Sequence, residues 1–75
     1  MAVTKRGVDV VKDQIFALVE KLEYMIAQKE EVLSNEESRE YPNEDKVAKL
    51  EEQLQTLSDA QNNLEEAANL LEEYE

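Results

Sequence analysis

The chain has 75 residues, 41% of them hydrophobic, and 19 acidic against 8 basic side chains give it a net charge of −11. A chain of this length forms one domain at most, and so negative a surface disfavours direct binding to nucleic acid or to an anionic membrane face. Histidine and cysteine are absent, which removes the commonest general base, the strongest nucleophile and any disulfide or thiolate metal site.

The composition predicts an all-α protein. Leu, Glu, Ala, Gln and Lys are good helix formers, and the single Gly and single Pro leave the chain few places to turn. No signal peptide is visible, and no apolar run approaches the roughly 20 residues that a membrane span needs. We therefore expect a cytoplasmic protein in which residues 1–75 form one helical-hairpin domain.

Helix 1 is predicted at about residues 8–35. From Val8 onward, apolar residues recur at alternating steps of three and four, which is typical of a buried helix face. The stretch 15–27 is apolar over more of its circumference than one partner helix can cover, because a single partner hides a stripe of roughly 100°. We therefore expect a second contact on helix 1, besides the contact with helix 2.

A connection is predicted at about residues 36–43. Pro42 disfavours helical geometry at Tyr41. Asn43 can cap the following helix, and Glu44 and Asp45 suit the positive end of its dipole.

Helix 2 is predicted at about residues 44–74, with one apolar seam and polar faces elsewhere. Because the two helices match in length and the connection is short, the sequence predicts an antiparallel, coiled-coil-like hairpin. The side chains expected in the hairpin core are those whose spacing turns them toward the partner helix. They are Val11, Ile15, Leu18, Leu22, Met25, Ile26, Leu33, Val47, Leu50, Leu54, Leu57, Leu64 and Leu71.

The surplus apolar surface of helix 1 has three possible explanations: a second copy, a different protein, or a bare patch on a monomer. We favour the second copy, with two hairpins forming a four-helix bundle, because large apolar patches are unusual on soluble monomers. The residues expected at this second contact are Phe16, Val19, Glu20, Glu23, Tyr24 and Ala27.

Two polar residues, Lys29 and Gln61, occupy seam positions. They either reach water along the groove or act as devices that specify register or oligomeric state. In the predicted hairpin they lie at different heights, so we expect no pairing between them.

The carboxylates offer no recognisable site. They are dispersed over solvent-facing positions, and adjacent acidic residues diverge by 100° on a helix, so they do not converge on one ion. We expect no catalytic residue, no metal, no cofactor and no enzymatic activity.

Two functions remain open at the level of sequence. The first is a small, acidic, non-enzymatic protein–protein interaction or structural module that acts as a homodimeric helical bundle. The alternative is an acidic inhibitor that mimics nucleic acid and occupies the basic cleft of a DNA- or RNA-binding protein. Both are compatible with a basic protein partner.

Overall fold

The computed structural model describes residues 3–74, so residues 1, 2 and 75 of the predicted domain lie outside the described range. Within it the chain forms two α-helices, α1 over Lys5–Glu37 and α2 over Glu44–Glu72, and no strand. The helices pack against each other as an antiparallel pair in a rod of 59 × 18 × 15 Å. The prediction of an all-α chain with two packed helices is confirmed.

The first helix begins earlier than residue 8, ahead of the single glycine. The Thr4 hydroxyl oxygen accepts the backbone N–H of Gly7 at 3.0 Å. This bond satisfies one of the amide groups that the first turn of a helix leaves without a partner. The low helix propensity of Gly7 is therefore offset by a cap three residues before it.

The second helix begins where its cap predicts. The Asn43 side-chain oxygen accepts the backbone N–H of Lys46 at 3.1 Å, and Glu44 and Asp45 lie in the first turn. Their negative charges lie beside the positive end of the helix dipole, where they are favourable.

A buried carboxylate closes the connection between the helices. Glu36, which is only 4% exposed, accepts the backbone N–H of Asn43 at 3.0 Å and two bonds from the Arg39 guanidinium at 3.0 and 3.1 Å. Lys46 Nζ lies 3.5 Å from the same carboxylate. The Asn43 N–H holds the pKa of Glu36 below its usual value, with help from Arg39 and Lys46, although burial acts in the opposite direction. Glu36 thereby joins the end of α1 to the start of α2.

The helices meet along a single seam, which we define by its buried and half-buried side chains. On α1 these are Val8, Lys12, Ile15, Val19, Leu22, Ile26, Lys29, Leu33 and Glu36. On α2 the seam consists of Val47, Leu50, Leu54, Leu57, Gln61, Leu64, Ala68 and Leu71; Gln53, Ser58, Ala60 and Ala67, which flank it, are also half-buried.

The seam on α1 differs from the sequence-based expectation by one row of residues. Val11, Leu18 and Met25 were expected in the core, but they are 45%, 46% and 45% exposed. Val19 was expected at the second contact, but it is buried in the seam at 9% exposure.

This difference has a physical reason. The row containing Val8, Ile15 and Leu22 is flanked on one side by Val11 and its heptad neighbours and on the other by Val19 and its neighbours. Both flanks are apolar, so spacing alone cannot tell which one faces α2. The rotation of α1 about its own axis determines which flank contacts α2. The same rotation brings Lys12 Nζ to 3.8 Å from the Glu72 carboxylate.

The two polar residues that the sequence placed in the seam, Lys29 and Gln61, contact the opposite helix separately. Lys29 Nζ donates to the Gln53 side-chain oxygen at 3.0 Å, and Gln61 Nε2 donates to the backbone carbonyl of Val19 at 3.4 Å. Lys29 and Gln61 thus make no bond to each other. Each polar group in the seam is satisfied within the hairpin, as a half-buried polar group requires.

Candidate interaction surface

A row of large apolar side chains on α1 is left uncovered by α2. Its members are spaced seven residues apart and lie beside the seam; they are 43–46% exposed. We call them the open row: Val11, Leu18, Met25 and Val32. Seven residues advance a helix by about 10.5 Å, so the row extends for roughly 30 Å. It is a continuous apolar edge rather than an isolated patch.

The open row borders α2 through shallow depressions. Met25 and Lys29 of α1 line one of them together with Gln53, Thr56 and Leu57 of α2. A neighbouring depression is lined by Val32 and Gln28 with the same Met25 and Leu57. These shared linings show that the open row lies on the same side of the hairpin as Gln53 and Thr56 of α2.

Five of the six residues expected at the second contact lie on one exposed side of α1, because they follow one another at spacings of four, three, one and three residues: Phe16, Glu20, Glu23, Tyr24 and Ala27. This side is not the side of the open row, and the sixth residue, Val19, is buried in the seam. Tyr24, which is 66% exposed, lines a depression with Glu20 and Met25. Phe16, which is 40% exposed, lies on the flank of α1 opposite the open row, and Glu23 lies one heptad further along the same flank. Ala27 is exposed on the outer face of α1.

Apolar side chains are also exposed at the open end of the hairpin. Val10 is 51% exposed and Leu70 62% exposed. Tyr74, which is 37% exposed, donates its hydroxyl to the backbone carbonyl of Val3 at 2.8 Å. This bond joins the two ends of the described chain across the rod. Leu70 thus lies on α2 at the end of the rod where Val11 begins the open row.

The charges are divided between two sides of the rod. Four rows of α1 and α2 share the side of the open row, and every position in them is free of Asp and Glu; we call this the acid-free side. On α1 it consists of the open row and Gln14, Lys21, Gln28 and Asn35. On α2 it consists of Lys46, Gln53, Ala60 and Ala67, and of Lys49, Thr56, Asn63 and Leu70.

The acidic residues of α2 occupy two rows on the rest of its surface, separated by the uncharged row of Ala48, Gln55, Asn62 and Asn69. One row carries Glu44, Glu51, Glu65 and Glu72, and the other carries Asp45, Glu52, Asp59 and Glu66, all of them exposed. The row of Asp45 borders the acid-free side, and its member Glu52 lines the depression beside Met25.

Neither described helix combines the length and the apolarity that crossing a bilayer requires. Within residues 3–74, no group of three or more acidic side chains is arranged to hold a metal ion. The perturbed carboxylate, Glu36, faces the connection, where its partners are the Asn43 N–H, Arg39 and Lys46. These contacts give Glu36 a structural role in the turn.

Comparisons with protein-family models, with curated proteins and with solved structures find no match to this chain. The functional interpretation therefore rests on the surface of the hairpin itself.

Sequence reasoning missed two features of this surface. The role of Glu36 depends on the path of the connection, which a pattern of residues does not show. The acid-free side is visible in the sequence as rows spaced by seven, but only after the seam fixes which rows of the two helices share a side.

Proposed function

We propose that this protein is a non-enzymatic protein–protein interaction or structural module that works as a homodimer in the cytoplasm, with two hairpins packed as a four-helix bundle. The observation that carries the proposal is the open row. Four large apolar side chains along α1 retain nearly half of their surface in water, although the hairpin is fully folded. Continuous apolar edges of this kind are typical of protein-binding surfaces.

The free energy gained by burying the open row can be approximated from the exposed area of its side chains. At 43–46% exposure, the four side chains leave roughly 300 Å² of apolar area per copy, worth on the order of 7 kcal/mol when buried. Two copies double this figure, whereas association costs roughly 4–15 kcal/mol. The open row is therefore enough to offset association, and stable binding needs further contacts around it.

The test compares two apolar residues on different flanks of α1. Leu18 belongs to the open row, whereas Phe16, similarly exposed at 40%, does not. The wild-type mass measured by sedimentation equilibrium at high micromolar concentration should be twice 8.7 kDa. Leu18→Ser should weaken the dimer about tenfold or more, because each copy loses apolar contact area. Phe16→Ser is the matched control and should have a much smaller effect.

Two results would refute this reasoning. A wild-type protein that stays monomeric at high micromolar concentration would remove the basis of the homodimer. A dimer that Phe16→Ser weakens as much as Leu18→Ser would show that association uses the other flank of α1.

The alternative function, an acidic mimic of nucleic acid, is favoured by the two acidic rows of α2. Their members repeat at about 10.5 Å along the helix and are exposed, so a basic cleft could meet several carboxylates in succession. Such binding should weaken steeply between about 50 and 300 mM salt as screening shortens the range of the charges. Dimerisation through the open row should show the opposite trend, because salt screens the repulsion between two negative chains.

A further inference from the structure

The absence of acids from one side of the hairpin is more than the composition requires. With eight acidic residues in the 33 positions of α1 and eight in the 29 positions of α2, an even spread would place about four on the sixteen positions of the acid-free side. None is there. Three lysines are: Lys21, Lys46 and Lys49. One side of a strongly negative molecule is thus neutral to slightly basic.

This distribution bears on which partner the open row can take. A solvated face that only provides solubility tolerates carboxylates at any exposed position. A basic partner is attracted by carboxylates, so it gives no reason to clear them from its docking surface. A second copy of the same chain carries the same charge of −11, so carboxylates that face each other across a contact between two copies repel. The acid-free side is therefore suited to a second copy.

We propose that the second copy docks on the whole acid-free side, so that α2 contributes to the dimer interface along with the open row of α1. This inference rests on the homodimer proposed above and specifies its surface. Ala60 and Ala67 are small and half-buried, and small side chains let a neighbouring helix approach closely. Leu70, 62% exposed, extends the apolar surface on α2.

The area of this side is sufficient for a stable contact. The long face of the rod measures 59 × 18 Å, a projected area of about 1,000 Å², and a typical specific interface buries about 800 Å² on each partner. The open row alone supplies only part of that area. Contacts from α2 are the further contacts that stable association needs.

The experiment uses two adjacent asparagines as a matched pair. Asn63 lies on the acid-free side, whereas Asn62 lies 100° away on the outer surface of α2, and both are exposed. We expect Asn63→Glu to raise the dimer dissociation constant about tenfold or more at 150 mM salt, because each dimer gains two carboxylates inside the contact. Asn62→Glu should change the constant by less than about threefold. Gln28→Glu, which changes charge but hardly size, should behave like Asn63→Glu from the α1 half of the surface.

The possible outcomes separate this inference from the function on which it rests. Helical circular dichroism identifies any variant that fails to fold, and the isosteric Gln28→Glu then supplies the decisive measurement. A wild-type dimer that responds equally to Asn63→Glu and Asn62→Glu overturns the assignment of the surface and leaves the homodimer standing. A wild-type monomer overturns both. Partial recovery of the Asn63→Glu dimer at 1 M salt would support charge repulsion as the cause.

Discussion

Two leucines on α2 provide a sharp test of the seam. Leu50 is 6% exposed and Leu70 is 62% exposed, and both lie inside the same helix. Replacing either by alanine changes the intrinsic helix propensity by the same small amount. The two substitutions therefore differ in packing and in little else.

The expected cost of Leu50→Ala follows from its burial. The substitution removes about three methyl or methylene groups at roughly 0.8 kcal/mol each and leaves a cavity at the contact with α1, so unfolding should become easier by about 2.5–4 kcal/mol. At Leu70, water fills the vacated space and most of the side chain was already exposed. We expect Leu70→Ala to cost less than about 1 kcal/mol.

The assay is urea unfolding followed by circular dichroism at 222 nm, at a protein concentration low enough that dimerisation contributes little to stability. Two substitutions with equal costs, within about 0.5 kcal/mol, would show that Leu50 does not lie in a buried seam. Repeating the melts at high concentration adds a second comparison. The cost of Leu70→Ala should then grow relative to that of Leu50→Ala, because Leu70 belongs to the proposed dimer surface; an unchanged difference would count against that surface.

The remaining predictions concern the connection between the helices. Glu36→Gln should destabilise the fold near neutral pH, because the charged carboxylate that binds the Asn43 N–H and lies 3.5 Å from Lys46 is lost. Since the pKa of Glu36 in the folded state lies below 4.5, its contribution is present above that pH and disappears as the pH falls through the lowered pKa. The difference in stability between the wild type and Glu36→Gln, read from urea midpoints, should shrink below pH 4.5. A difference that persists unchanged to about pH 2 would contradict this role of Glu36. Glu37→Gln, at an exposed position, is the control. Asn43→Ala should lower the free energy of unfolding by about 1 kcal/mol, because α2 loses its cap. Thr4→Ala should lower it less, because the end of α1 can fray without opening the connection. A smaller loss of stability at Asn43 than at Thr4, measured by thermal or urea unfolding, would show that the cap on α2 is dispensable.

The division of charge along the rod gives its two sides different physical properties. The acidic rows of α2 keep one side hydrated and repel other negative surfaces, whereas the acid-free side exposes the open row with little charge around it. Lys12 is drawn to Glu72 on the acidic side, so basic residues are not simply collected on the acid-free side. In the proposed dimer, orientations that bring the acidic rows of two copies together are disfavoured, because like charges repel.

Much of the fold was determined by the sequence alone. Helix formers over nearly the whole length, with Pro42 and Asn43 as the clear break, determine two helices and their connection, because backbone geometry and capping act locally. The seam of α2 was equally readable, because the large apolar residues of that helix, from Val47 to Leu71, form one narrow stripe and only Leu70 lies outside it. Only one orientation of that helix buries its apolar surface.

The tertiary structure decided what local patterns leave open. Helix α1 is apolar on both flanks of its central row, so only its packing against α2 determines that Val19 is buried and Leu18 is exposed. Glu36 resembles any other glutamate in the sequence, and its burial depends on Asn43 and Arg39 meeting it across the turn. The acid-free side likewise exists only when rows from two helices are brought to one side of the rod. The burial of Val19 and the acid-free side depend on contacts between residues distant in sequence, and the burial of Glu36 depends on the path of the connection. Short-range periodicity carries no information about either.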